Sequence, residues 1–395
     1  AMGAGGAAAT GLNLYAWGPN TWGYVGDGTS FNQLGPKQIG TGTDWSKISC
    51  AAAFSLAVKT NGTLWAWGGN TTGRLGDGTS TTRSSPVQIG TLSDWAQVSA
   101  AENSSSAVKT NGTLWGWGQN NIGQLGTGDA TDYSSPVQIG SLSNWSQVAR
   151  GIGHALAIKT DGTLWAWGTN YDGELGVNSA TVTYSSPVQV GALTTWSKVS
   201  CGNSFTIAIR TNGTIWSWGV AAQGRLGNGD TITSYSSPIQ IGSLSDWSQV
   251  VCGDNYALAI KTNGTLWAWG GNTYGQLGTS SVTERSSPVQ VGTLSTWSQI
   301  AVGLSTSFAI KTDGTLWSWG RNNNGQLGSL NLSDRSSPVQ IGTNTNWSKI
   351  GGGQTFGLAI NTSSQIYSWG SGGSNNGLNA ATGYSSPVQV GANEW

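Results

Sequence analysis

The chain is poor in the residues that most enzymes use for chemistry. Its 395 residues include one histidine, three cysteines and one methionine. A histidine-based metal site is therefore excluded, and no Cys-x-x-Cys pair is present. Charged residues make up only 9% of the sequence, and 17 basic residues balance 17 acidic ones. Because a nucleic-acid-binding surface needs an excess of basic residues, we expect no nucleic-acid partner.

Long apolar runs and helical patterns are also missing. No apolar segment is long enough to span a bilayer, so we expect no membrane insertion. The first residues, AMGAGGAAAT, lack the basic flank and the apolar core of a signal peptide. Export after earlier cleavage of a signal, or release by lysis, stays open. No segment has the 3.6-residue periodicity of an amphipathic helix, which favours an all-β protein.

What the sequence has instead is a repeat. A Trp-Gly pair recurs at steps of 50 or 51 residues, a period typical of propellers, solenoids and arrays. Its eight tryptophans are Trp17, Trp67, Trp117, Trp167, Trp218, Trp269, Trp319 and Trp369. One period, such as residues 94–140, holds four short apolar runs separated by turn residues. Each run has the length and composition of a strand, so the repeat predicts a four-stranded unit.

The third run of each repeat predicts a strand that is buried on both faces. In Leu64-Trp65-Ala66-Trp67, alternate side chains point to opposite faces, and both sets are apolar. An Asn-Gly or Asp-Gly pair precedes this run and predicts a type I′ hairpin turn. Blades of a propeller are covered on both sides by their neighbours. We therefore predict an all-β fold, a β-propeller of four-stranded antiparallel blades.

The repeat also resembles a known family. Residues 155–176, ALAIKTDGTLWAWGTNYDGELG, followed by SSPVQV at 185–190, are similar to the repeat of the regulator of chromosome condensation family of β-propellers. The Trp-Gly-x-Asn, Gly-x-Leu-Gly and Pro-x-x-Val/Ile elements recur over essentially the whole chain. The family repeat usually has a histidine after a glycine-containing turn, which only His154 matches. The resemblance implies a propeller, and most members of the family have seven blades.

The register of the two ends bears on the number of blades. Aligning Trp17 with Trp67 and Trp395 with Trp45 makes the ends meet within one repeat. We therefore predict one propeller domain over residues 1–395 with eight blades, and seven blades is the alternative. In this arrangement residues 1–40 supply the outer strands of the closing blade, and residues 41–395 form seven further repeats.

Candidate catalytic groups do not form a set. His154 is the only base for a Ser-His-Asp triad, and chance proximity is expected in a chain so rich in serine and aspartate. Asp44, Asp94 and Asp246 each precede a tryptophan, but another copy has Asn144 in this position. Exchange of Asp for Asn suits an acceptor that caps a turn, not an acid or a base. We predict a non-enzymatic protein without a cofactor or a metal ion.

The candidate binding residues end the segment that varies most between copies. This segment lies between Gly-x-Leu-Gly and Ser-Ser-Pro, and its last residue is Arg or Tyr. Such side chains are frequent anchors in protein and glycan recognition, although they also pack as covers over neighbouring rings. The candidates are Arg83, Tyr133, Tyr184, Tyr235, Arg285, Arg335 and Tyr384. Most of the 23 tryptophans are predicted to be core residues, and Trp22 in an atypical loop is the exception.

Two classes of function fit these features. The first is a rigid scaffold that binds a protein or a surface glycan outside the cell, because near-identical Ser/Thr/Gly/Trp-rich repeats resemble those of secreted bacterial proteins and phage virion parts. Assembly into a larger particle or a homo-oligomer belongs to this interpretation. The second follows from the family resemblance and is an intracellular protein-binding regulator of the nucleotide-exchange or inhibitor type. We expect the extracellular or virion-associated class and leave a cytoplasmic location open.

Overall fold

The computed structural model describes residues 14–18, 20, 22–23, 25–31, 33–39, 44–51, 53–180, 182–353, 355–363, 365–370 and 384–389. Within these ranges the regular structure consists of thirty β-strands and one short 3-10 helix, Ala222–Gly224. The chain divides into two compact units, which are Ala1–Gln33 with Lys37–Val199, and Leu34–Pro36 with Ser200–Trp395. No helix in the described part is long and apolar enough to cross a membrane.

The first unit contains three four-stranded antiparallel sheets, blades 1 to 3, in which strands adjacent in sequence are paired. Blade 1 consists of β3 (Trp45–Cys50), β4 (Phe54–Lys59), β5 (Leu64–Gly68) and β6 (Arg83–Gln88). Blade 2 consists of β7 (Trp95–Ala100), β8 (Ser104–Lys109), β9 (Leu114–Gly118) and β10 (Tyr133–Gln138). Blade 3 consists of β11 (Trp145–Arg150), β12 (His154–Lys159), β13 (Leu164–Gly168) and β14 (Tyr184–Gln189).

Four further sheets of the same topology follow, and the boundary between the units falls within β15. Blade 4 consists of β15 (Trp196–Cys201), β16 (Phe205–Arg210), β17 (Ile215–Gly219) and β18 (Tyr235–Gln240). Blade 5 consists of β19 (Trp247–Cys252), β20 (Tyr256–Lys261), β21 (Leu266–Gly270) and β22 (Arg285–Gln290). Blade 6 consists of β23 (Trp297–Val302), β24 (Thr306–Lys311), β25 (Leu316–Gly320) and β26 (Arg335–Gln340). Blade 7 consists of β27 (Trp347–Gly352), β28 (Phe356–Asn361), β29 (Ile366–Gly370) and β30 (Tyr384–Gln389).

The described chain has seven blades, so the prediction of eight is wrong. The prediction assigned one blade to each Trp-Gly strand. The strand with Trp17 is β1 (Tyr15–Gly18), which pairs only with β2 (Gln33–Gln38) in a two-stranded sheet among the described residues. A complete blade also needs a first strand that begins with Trp and a second strand, and the described residues hold seven such pairs. Residues 1–13 and 390–395, where the ends were expected to meet, lie outside the described residues.

The hairpin between the second and third strands also differs from the predicted type. Of the Asn61-Gly62 pair, only Gly62 has a positive φ, of 78°, so the turn is not type I′. The N–H of Gly62 donates to the Lys59 carbonyl at 2.9 Å, and the N–H of Lys59 donates to the Thr63 carbonyl at 3.0 Å. This pattern is a three-residue loop that ends in a glycine bulge. Asn61 Oδ1 accepts hydrogen bonds from the backbone N–H and the hydroxyl of Thr63, at 3.1 and 2.8 Å.

Burial of the third strand on both faces is confirmed. Leu64 and Ala66 on one face and Trp67 on the other have no exposed surface, and Trp65 is half-buried. The six tryptophans that correspond to Trp67 in the other blades are equally buried, namely Trp117, Trp167, Trp218, Trp269, Trp319 and Trp369. Trp22 is 53% exposed, as its atypical loop predicted.

Within each unit, the buried tryptophan of a blade packs against the Gly-x-Leu-Gly segment of the blade before it. The indole Nε1 of Trp167 donates to the Gln124 carbonyl at 3.1 Å, and that of Trp319 donates to the Gln276 carbonyl at 2.9 Å. Gly126, the second glycine of its motif, has a φ of +85°. A Cβ at this position would lie 2.8 Å from Trp167 Nε1. The motif therefore ends in glycine both because of the backbone conformation and because the next blade's indole fills the space.

The two reasons for this glycine are separable by mutation. Gly140 also has a positive φ, of 63°, but a Cβ there would meet nothing within 4 Å. Gly140→Ala should therefore cost only the left-handed conformation, about 1–2 kcal/mol. Gly126→Ala should cost about 1–3 kcal/mol more, because its methyl group collides with the indole. Urea unfolding of both variants measures the difference, and equal losses would show that the tryptophan contact is not tight.

Candidate functional site

The candidate binding residues share one position in the fold. Each is the first residue of a fourth strand, at the end of the loop that comes from the third strand. We call these loops the long loops, and they comprise residues 69–82, 119–132, 169–183, 220–234, 271–284 and 321–334. Tyr384 begins β30, but its side chain and the loop before it lie outside the described residues. The structure thus locates six of the seven predicted side chains.

A buried asparagine braces most of the long loops from within. Asn120 has no exposed surface, and its Oδ1 accepts a hydrogen bond from the N–H of Leu125 at 2.9 Å. Its Nδ2 donates across the loop to the Asp129 carbonyl at 3.1 Å. The equivalent buried asparagines are Asn20, Asn70, Asn170, Asn272 and Asn322, whereas blade 4 has Ala221. The Asn of the Trp-Gly-x-Asn element is therefore structural, and the loop path is fixed by side-chain hydrogen bonds.

Three of the candidate side chains are bonded to an aspartate of their own loop. Arg83 Nε lies 2.6 Å from Asp77 Oδ2, and the Tyr133 hydroxyl donates to Asp129 Oδ2 at 2.6 Å. The bond from Tyr133 lowers the pKa of Asp129, and the same contact raises the pKa of Tyr133. The Tyr235 hydroxyl donates to an aspartate of its own loop at 3.2 Å. Tyr133 and Tyr235 also pack against the apolar clusters of their blades.

Arg285 and Arg335 are in a different situation. The position of Asp77 is taken by Thr279 before Arg285 and by Ser329 before Arg335. In the part of the chain that the structure describes, neither arginine has an ion pair, and both are half-buried. The Nε atom of each is buried without a hydrogen-bond partner among the described residues, so these guanidinium groups are charges that the described protein does not neutralise.

Exposed aliphatic side chains at the tips of the long loops are the feature that sequence reasoning missed. Ile232 is 88% exposed, Val282 61%, Leu330 79% and Leu332 62%. All four belong to the second unit, in the long loops of blades 4, 5 and 6. In blades 1 and 2 the position of Val282 and Leu332 is occupied by Ser80 and Ala130. The apolar residues are visible in the variable segments of the sequence, but only the structure shows that their side chains are exposed.

The aspartates that precede a first-strand tryptophan form ion pairs, which corrects the predicted turn-capping role. Lys109 Nζ lies 3.1 Å from Asp94 Oδ1 and 4.6 and 4.5 Å from the ring centroids of Trp95 and Trp115. The other pairs are Asp44 with Lys59 and Asp246 with Lys261. Blade 3 has Asn144 in this position, and burial lowers the pKa of Lys159, which lies between the corresponding rings. These lysine and aspartate side chains therefore have a structural role.

His154 is a core residue. It begins β12 with 1% of its surface exposed, in the position that Phe54, Phe205 and Tyr256 occupy in other blades. Burial, together with the smaller effect of the nearby charge of Arg150, lowers the pKa of His154 to about 4. The imidazole is therefore neutral at physiological pH. Among the described residues, no three His, Cys, Asp or Glu side chains are close enough to hold a metal ion.

Comparisons with known proteins agree on one family. A sequence model of the RCC1-like domain matches residues 4–247 and 142–394. RCC1 domain-containing protein RUG3, mitochondrial, of Arabidopsis thaliana is 38% identical over 101 residues, which are 25% of this chain and 22% of that protein. The human probable E3 ubiquitin-protein ligase HERC3 is 36% identical over 85 residues, which are 21% of this chain and 8% of that protein. The matches thus span less than a quarter of these curated relatives.

Solved structures share the fold over most of the chain. Human WBSCR16 superposes with a TM-score of 0.73 at 21% identity, over 89% of this chain and 100% of that chain. Prp20p from Saccharomyces cerevisiae superposes with a TM-score of 0.71 at 19% identity, over 93% of each chain. At this level of identity the similarity establishes the fold alone.

The burial of His154 gives a pH dependence with a definite sign. Unfolded His154 binds a proton near pH 6.5 and the folded residue only near pH 4, so the unfolded state holds more protons between these values. Stability should fall as the pH drops below 6.5, and the contribution of His154, about 3 kcal/mol, should be fully lost below pH 4. In His154→Phe this contribution should vanish, because the position accepts Phe in other blades. Urea unfolding from pH 7 to pH 4 compares the two proteins, and identical slopes would contradict the assignment.

Proposed function

The chain belongs to the RCC1-like domain family, and from this premise we propose that it is a non-enzymatic module that binds another protein through its long loops. The observation that carries this proposal is the combination found in blades 5 and 6. There the exposed side chains of Val282, Leu330 and Leu332 share their loops with Arg285 and Arg335, which lack an ion pair among the described residues. Arginine is enriched in protein-binding hot spots, and the exposed apolar side chains beside it offer surface that a partner protein would bury.

The remaining candidates have supporting roles in this proposal. Tyr184 and Tyr384 stay candidates for contacts with the partner. Arg83, Tyr133 and Tyr235 are bonded within their own loops, so we propose that they fix the loop ends and contribute less to affinity. The exposed tips of blades 4 to 6 are aliphatic, so they lack the planar aromatic faces that a carbohydrate site would require; the exposed aromatic side chains of Trp22, Phe31 and Tyr171 lie elsewhere.

The structural relatives support a protein partner. Prp20p has binding properties toward Gsp1p and histones, and Kap60 binds yeast RCC1 (Prp20). HERC3 is a probable ubiquitin ligase, but the match covers 8% of it, so we carry no ligase activity over to this chain. Protein binding by the shared fold is the property that we propose to be common.

The expectation of an extracellular or virion-associated protein receives no support from these relatives. RUG3 is mitochondrial, and none of the names given above refers to a virion part or to glycan binding. Near-identical repeats resemble those of exported proteins because the repeats were duplicated recently, and recent duplication does not depend on the location of the protein. We propose an intracellular protein-binding regulator, which is the second of the two classes that fit the sequence.

The role of the two arginines is testable by affinity capture. A tagged wild-type chain should retain a specific protein from its source cells, and the Arg285→Ala/Arg335→Ala variant should retain at least tenfold less of it, because an arginine hot spot contributes on the order of 2 kcal/mol. Quantitative mass spectrometry of the captured proteins measures the ratio.

A matched control uses the loops that lead from a fourth strand to the next blade. The Leu92→Ser/Leu142→Ser variant removes two half-exposed leucines there and should capture the same protein as the wild type. Loss of capture in this control with retention in the arginine variant would place the binding surface elsewhere and contradict the proposal.

A further inference from the structure

Leu330 occupies a backbone conformation that the other long loops assign to smaller residues. Its φ is +66°, in the left-handed region where a side chain with a Cβ is strained. The N–H at this position donates to the fourth strand of the next blade, from Gly78 to the Ser134 carbonyl at 2.8 Å and from Leu330 to the Ser385 carbonyl. The equivalent residues in the other loops are Gly28, Gly78, Gly128, Asn178, Gly229 and Ser280, all with a positive φ. The contact imposes the conformation, yet blade 6 has a leucine there.

The strained leucine is also largely exposed, so packing gives it no compensation. Leu330 and Leu332 stand on either side of Asn331, which is half-buried and hydrogen-bonded. An exposed apolar side chain in a strained conformation has two unfavourable features at once. Strain of this kind is typical of binding sites, where the surrounding structure maintains it.

Hydrogen bonds hold the tip in one conformation. Asn322 Nδ2 donates to the Asn331 carbonyl at 2.8 Å, and Asn331 Nδ2 donates to the Ser329 carbonyl at 3.2 Å. The N–H of Ser333 donates to Asn331 Oδ1 at 3.1 Å, and the N–H of Asn322 donates to an aspartate oxygen of the same loop at 2.7 Å. Ordering the tip before binding removes an entropic cost that a flexible loop would have to meet in the complex.

We propose that Leu330 and Leu332 form the anchor of the binding surface and enter an apolar cleft of a partner protein that has a carboxylate at its rim. The carboxylate would pair with Arg335, which follows the tip in the same loop and lacks an ion pair among the described residues. This inference rests on the proposed function, since it names the anchor and the chemistry of the partner for the same surface.

The charges of the tip favour a protein partner over a lipid surface. The segments 279–285 and 329–335 contain Glu284 and Asp334, both exposed, against Arg285 and Arg335, and no lysine. Their net charge is therefore zero. Binding to an anionic membrane relies on an excess of Lys and Arg next to the inserted apolar side chains. An apolar cleft in a protein needs no such excess.

The test replaces the anchor by the residues that sister loops use. Leu330→Gly restores the glycine of blades 1, 2 and 4, and Leu332→Ser restores Ser80 of blade 1. Thermal unfolding should give a melting temperature equal to or higher than that of the wild type for Leu330→Gly, because the strain is relieved. The protein captured by the wild type is then purified and titrated calorimetrically with each variant. Both should bind it at least tenfold more weakly, and Leu142→Ser, which removes a half-exposed leucine outside the long loops, should bind it unchanged.

Several outcomes would overturn the inference. If both leucine variants bind the partner as the wild type does while Arg285→Ala/Arg335→Ala does not, the proposed function stands and the anchor is wrong. If the wild type captures no protein, both proposals fall. Leucine-dependent binding to vesicles of phosphatidylcholine and phosphatidylserine would identify a lipid surface instead. Leucine-dependent dimerisation in sedimentation would identify a second copy of this chain. If Leu330→Gly lowers the melting temperature, the strain assignment is wrong, and Leu332→Ser alone decides whether the anchor stands.

Discussion

The packing of a third-strand tryptophan against the long loop of the preceding blade is the contact on which the other features of this protein depend. At Gly126 the space that a side chain would fill is occupied by the indole of Trp167. Two residues later the N–H of Gly128 donates to the Ser185 carbonyl of the same neighbouring blade at 2.6 Å. These contacts fix the path of the loop and set which of its residues must have a positive φ. The glycines of the repeat are therefore a consequence of how one blade meets the next.

The same contact divides each long loop into a constant part and a variable tip. The constant part includes the glycines and the buried asparagine, such as Asn322, whose side chain spans the loop. The tip is the short segment before the fourth strand, and its side chains point to solvent in blades 5 and 6. Substitutions at the tip do not reach the core, which is how a rigid framework carries binding residues on its loops.

The low charge content also has a structural explanation. Lys109 is paired with Asp94 and lies beside two tryptophan rings, and the equivalent lysines of blades 1 and 5 are paired in the same way. Part of the charge is thus used within the fold. In our proposal, recognition relies on aliphatic side chains together with two arginines, which fits a hydrophobic and specific contact better than electrostatic attraction over a distance.

The sequence made the Arg or Tyr at the end of each long loop visible, but it did not distinguish their environments. Arg83 and Arg335 occupy the same position in the repeat, and they differ because Asp77 lies near the first and Ser329 takes that place before the second. The replacement of the aspartate by serine can be read from the sequence once the contact between Asp77 and Arg83 is known. Without the structure nothing indicates that Asp77 and Arg83, which are six residues apart in the chain, are in contact across the loop. The distance between Asp77 Oδ2 and Arg83 Nε is 2.6 Å.

The sequence by itself determined the strand pattern, the antiparallel four-stranded unit and the burial of both faces of the third strand. These features depend on local periodicity, which is the same in every copy of the repeat. The tertiary structure decided the rest. A blade requires its first two strands, so the described residues form seven blades although the periodic Trp-Gly pair occurs eight times. The hairpin type, the burial of His154 and the exposure of Leu330 depend on backbone conformation and on residues of neighbouring blades about 50 positions away. Contacts over that distance are set by packing, and a repeated sequence gives every copy the same local signal.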